Sequence, residues 1–73
     1  MVEYEYLSKK RTIPDSPEIL EELSDYPVVA VRSDREAGRV FVGTDEPLDE
    51  DEKEEVDEIV RELIKDVEEE RAS

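Results

Sequence analysis

Val28-Val29-Ala30-Val31-Arg32 and Arg39-Val40-Phe41-Val42-Gly43 are two runs rich in β-branched residues, separated by Ser33-Asp34-Arg35-Glu36-Ala37-Gly38. Turn-forming residues that end in a glycine able to take positive φ read as the loop of a β-hairpin. Both runs are apolar on each side of the strand rather than strictly alternating. One face is therefore expected to pack on helices, and the other to meet a second copy or a partner.

Upstream of the hairpin, Ser24, Asp25 and Pro27 end a short helix that starts at Ser16-Pro17. Serine suits the N-cap, and proline suits the first helical position, where its missing N–H costs nothing. Ile19, Leu20 and Leu23 fall on one side of this helix, with Glu21 and Glu22 toward water. Residues 8–16 read as a loop carrying Lys9, Lys10 and Arg11, with Ile13 tucked under the core. Before it, Val2, Tyr4 and Tyr6 alternate with Glu3 and Glu5, the two-residue period of a strand covered on one face.

Downstream, Asp49 with Glu52 three residues on forms a capping-box pattern. Val56, Ile59, Val60, Leu63, Ile64 and Val67 then recur at helical spacing and predict one long helix over about residues 50–70. The expected fold is α+β, in β-α-β-β-α order. It is a three-stranded mixed sheet with two helices packed on one face, the first helix a right-handed crossover between parallel strands. Residues 1–73 read as a single small acidic domain, since so short a chain barely closes one core.

The chain has no cysteine, histidine or tryptophan and only two glycines, Gly38 and Gly43. It thus lacks a thiolate, the usual neutral-pH base, the commonest transition-metal ligand and a phosphate-cradling glycine loop. Its serines have no adjacent base, so the reading is non-enzymatic, with no cofactor. No apolar run approaches the ~20 residues of a membrane span, and the expectation is a cytoplasmic protein without membrane contact.

The net charge is −14, from 24 acidic and 10 basic residues, which disfavours direct binding of nucleic acid and favours a partner with a basic surface. Residues 1–44 hold 6 basic and 9 acidic groups, whereas residues 45–73 hold 4 and 15. The function read from this asymmetry is an acidic interaction protein. It presents its C-terminal helix to a basic protein groove, as a nucleic-acid mimic would. The partner-binding candidates are Glu50, Asp51, Glu54, Glu55, Asp57, Glu58, Glu62, Asp66 and Glu69. Glu68, Glu69 and Glu70 stand at the wrong end of the expected helix dipole, a local misfit. An alternative is a self-associating homodimer or designed scaffold merely solvated by its charge, with Tyr4, Tyr6, Val28 and Phe41 as the sheet interface. A further alternative is weak Ca²⁺ or Mg²⁺ binding by the acidic residues of 45–52, although acids there also suit a helix N-terminus. Two basic groups, Lys9-Lys10-Arg11 and Arg32-Arg35-Arg39, are expected at one end of the sheet. They make either an anion site or, more simply, counter-charges for nearby carboxylates.

Overall fold

The computed structural model describes residues 1–8, 13–65 and 67–72, with the backbone alone for residues 68, 69, 71 and 72. Its elements run β1 (Val2–Ser8), α1 (Ser16–Glu22), β2 (Val28–Asp34), β3 (Arg39–Thr44), α2 (Glu50–Ile64) and β4 (Val67–Ala72). The class is α+β, but the sheet differs from the expectation in two ways. It has four strands in the order β2-β3-β1-β4, and every neighbouring pair is antiparallel. β1 and β2 do run in the same direction, yet β3 lies between them, so no parallel pair forms. Six elements in this order and connectivity make the split β-α-β, or ferredoxin-like, arrangement, a scaffold that hosts many unrelated functions.

The hairpin forms from the residues that announce it. Gly38 takes φ 67°, and the Asp34 carboxylate accepts a hydrogen bond from the Ala37 amide at 3.1 Å. The Gly38 carbonyl accepts from the Ser8 amide at 2.8 Å, which ties the exit of β1 to the hairpin tip. A side chain at Gly38 would place its Cβ 2.1 Å from the Ser8 carbonyl oxygen, so glycine is required twice over.

Register sorts the strands into two faces. Tyr4 lies opposite Val42 and Tyr6 opposite Val40, while Val31 faces Val42 across the other ladder. These side chains meet Ile19 and Leu23 of α1 and Val56, Val60 and Ile64 of α2 in one cluster, joined by Ile13, with Val2, Val28, Val31 and Val67 packed at its margin. The opposite face carries Glu3, Glu5 and Leu7 of β1, Arg39, Phe41 and Gly43 of β3, and Ala30, Arg32 and Asp34 of β2. It is mostly charged or small rather than apolar, and a bulge between Val28 and Ala30 interrupts the alternation of β2.

Two helix boundaries also move. Asp15, not Ser16, is the N-cap of α1, with extended backbone at φ −65° and ψ 151°. The Ser16 hydroxyl instead accepts a hydrogen bond from the Ser33 amide at 3.0 Å and lies 3.0 Å from the Ser33 hydroxyl. An edge strand needs such a partner for its outward amides. At the other end of the chain, α2 keeps its capping box, with the Glu52 amide donating to Asp49 Oδ1 at 2.8 Å, but it stops at Ile64. Lys65 caps it in the left-handed region at φ 64°, and residues 67–72 turn back as β4 along β1. Glu68, Glu69 and Glu70 therefore leave the negative end of the helix dipole for a strand.

Candidate functional site

The outward side of α2 is built from residues that the apolar stripe leaves over. At 100° per residue, Glu50, Glu54, Glu58, Asp51, Glu62 and Glu55 fall within an arc of roughly 140°, opposite the buried Val56, Val60 and Ile64. All six are exposed. They span about 18 Å of helix axis, or one carboxylate per ~3 Å, close to the ~3.4 Å spacing of charges along one DNA strand. Among the described residues, none of the six lies within ion-pair distance of a cation.

Of the two cations of α2, Lys53 faces away from this arc toward β1 and β4, whereas the exposed Arg61 stands at the edge of the arc, between Glu50 and Glu54, and reaches across to β4. Lys53 Nζ donates to both carboxylate oxygens of Asp57, at 2.5 and 2.6 Å, and to Glu70 Oε2 of β4 at 3.1 Å. Arg61 reaches the other oxygen of Glu70 from Nε at 2.8 Å and Nη2 at 2.5 Å. The Tyr6 hydroxyl donates to Asp57 Oδ1 at 2.6 Å, and Lys53 also lies 5.2 Å from the centre of the Tyr4 ring. Burial, then the hydrogen bond to Asp57, holds the Tyr6 hydroxyl far above the ordinary tyrosine value. For Lys53, desolvation works against the charged form, but the bonds to Asp57 and Glu70 outweigh it and raise its pKa. The network is charge-balanced and closed. Asp57 belongs to it and is thereby withdrawn from the outward surface.

Tyr26 joins the helices at their seam. Its hydroxyl is held above the ordinary value by desolvation and then by the neighbouring Glu55 carboxylate, with Asp25 and Glu58 adding to the effect. Carboxylates from both helical segments thus converge on one phenol. On the α1 side Glu18, Glu21, Glu22 and Asp25 are all exposed, and this helix holds no cation. The sequence reading placed the acidic surface on the last helix alone and missed α1. The signal was present in the four acids and no bases of residues 16–25.

No protein family, curated protein or solved structure matched this chain.

The remaining candidates lie elsewhere. Glu69 stands in β4 rather than on a helix, and Asp66 lies outside the described residues. Tyr4 and Tyr6 are 6% and 1% exposed beneath the helices, so neither reaches a surface. Val28 packs against the core margin. Phe41 alone of the four proposed interface residues lies on the open face of the sheet, and there the Arg32 guanidinium covers its ring at 4.4 Å. The basic group of the hairpin is mostly engaged as counter-charge. Arg35 meets Asp15 at 2.5 Å and Arg39 meets Glu5 at 3.8 Å, while Lys9, Lys10 and Arg11 lie outside the described residues. In the 45–52 segment, Asp49 and Glu52 are occupied by the cap, and among the described residues no three carboxylates converge as metal ligands.

Proposed function

We propose that this protein is a non-enzymatic docking module whose acidic helical surface engages a basic protein partner in the manner of a nucleic-acid strand. The observation that carries the proposal is the segregation of charge. Ten exposed carboxylates, from Glu18, Glu21, Glu22 and Asp25 to the six on α2, share the helical side, while Lys53 is turned inward onto Asp57 and Glu70 and the one exposed cation within the arc, Arg61, is neutralised by Glu70. Same-sign charge on a rigid surface steers and orients a basic partner, and the helix spacing approximates that of backbone phosphates.

The opposite face of the sheet suits neither an RNA platform nor an apolar dimer interface. Sheets of this topology that bind RNA stack bases on aromatic side chains. Here Glu3 and Glu5 hold the open positions of β1, and Arg32 covers Phe41.

Affinity capture at low and high salt tests the proposal. The wild type is expected to retain basic proteins below ~0.1 M salt and release them above it. The triple variant Glu54→Gln, Glu58→Gln, Glu62→Gln should lose them, and Glu36→Gln at the hairpin should keep them. Equal retention by both variants, or capture indifferent to salt, contradicts the docking role.

A further inference from the structure

We propose that β4 is a releasable strand, and that residues 67–72 exchange between pairing with β1 and a helical form. Four observations converge on this device. Lys65 ends α2 in a left-handed conformation at φ 64°, which is strained for a residue with a Cβ. The strand it opens reads Val67-Glu68-Glu69-Glu70-Arg71-Ala72, dominated by residues that favour helices and are depleted in strands. The apolar stripe of α2 reaches Val67 in register, so a continued helix keeps an apolar residue toward the core side. Finally, the ladder to β1 is irregular, with a register shift at Leu7/Ser8 where Val67 enters.

Local preference and tertiary pairing thus disagree over the same residues, the condition under which a segment holds two arrangements close in energy. The ladder to β1 and the charge-assisted contacts from Lys53 and Arg61 to Glu70 together hold the strand form. The helical form loses that ladder and places Glu68, Glu69 and Glu70 at the negative end of the dipole, and both keep it the minor one. Release uncovers the edge of β1. This inference is independent of what α2 docks with.

Amide exchange along β1 separates release from global unfolding. The Ser8 amide bonds to Gly38 next to β3, so by alternation the Tyr4 and Tyr6 amides face β3 and the Glu5 and Leu7 amides face β4. Glu5 and Leu7 should exchange faster than Tyr4 and Tyr6. Glu70→Gln should raise their rate roughly tenfold further, as loss of charge-assisted bonds predicts. Lys65→Gly should slow them, because glycine relieves the left-handed backbone and weakens the helix. Carbon chemical shifts of residues 67–71 should move toward helical values in Glu70→Gln. Equal exchange at all four positions in the wild type and Lys65→Gly, or faster exchange with no helical shift, overturns the proposal.

Discussion

Tyr6 shows how one side chain serves both core and charge network, since its ring is buried while its hydroxyl donates to Asp57 at 2.6 Å. Its folded pKa is raised, so folding favours the protonated phenol. That contribution is complete below the unfolded value near 10 and is lost as pH climbs above it. Lys53 is shifted in the same direction from 10.5 and adds to the same alkaline loss. Urea midpoints of the wild type should therefore fall above about pH 10, and those of Tyr6→Phe should fall less steeply. At neutral pH the same variant should be about 1.5–3 kcal/mol less stable, the usual worth of a hydrogen bond to a charged group. An alkaline decline identical in both proteins would remove Tyr6 from the account. Gly38 is a sharper case. Gly38→Ala should destabilise by at least about 2 kcal/mol in the same titration, from left-handed strain together with the clash on the Ser8 carbonyl.

Helix α2 was legible in the sequence because two independent signals coincide on it, the capping pair Asp49 and Glu52 and the spacing from Val56 to Ile64. Asp49→Ala should cost about 1 kcal/mol, seen as a lower thermal midpoint, while Glu50→Gln just beyond the cap should cost much less. Where this helix ends was not legible. Val67 keeps the helical period and the following residues are helix formers, so local preference alone extends the element to residue 70. The strand exists because Glu70 meets Lys53 and Arg61 and because β1 offers a free edge, and both are tertiary facts. The missed strand also explains the sheet. Without β4, β1 looks like an edge available for pairing with β2, and a mixed sheet follows. The hairpin turn was readable from Gly38, whereas the bulge between Val28 and Ala30 that breaks the alternation of β2 has no comparable sequence signature. Of the docking candidates, the six on the outward arc followed from periodicity. Asp57 did not, since its withdrawal depends on Tyr6, which is 51 residues away.

Taken as a whole, the chain carries −14 in 73 residues, and a domain this small holds only about 3–5 kcal/mol of net stability. Repulsion among the helical carboxylates is then a sizeable fraction of the total. Added salt screens these exposed charges strongly and the half-buried Lys53–Asp57–Glu70 contacts weakly, so repulsion should fall faster than attraction. The melting temperature is expected to rise with salt well beyond ~0.1 M, and a flat profile would show that the exposed carboxylates do not strain the fold. The segregation of charge is tested most directly by titrating isotopically labelled protein with poly-lysine and following amide chemical shifts residue by residue. Shifts should concentrate on Glu18–Asp25 and Glu50–Glu62 and fade with salt, leaving Ala30, Arg32, Arg39 and Phe41 unmoved. Shifts spread evenly over both sides of the sheet would contradict it.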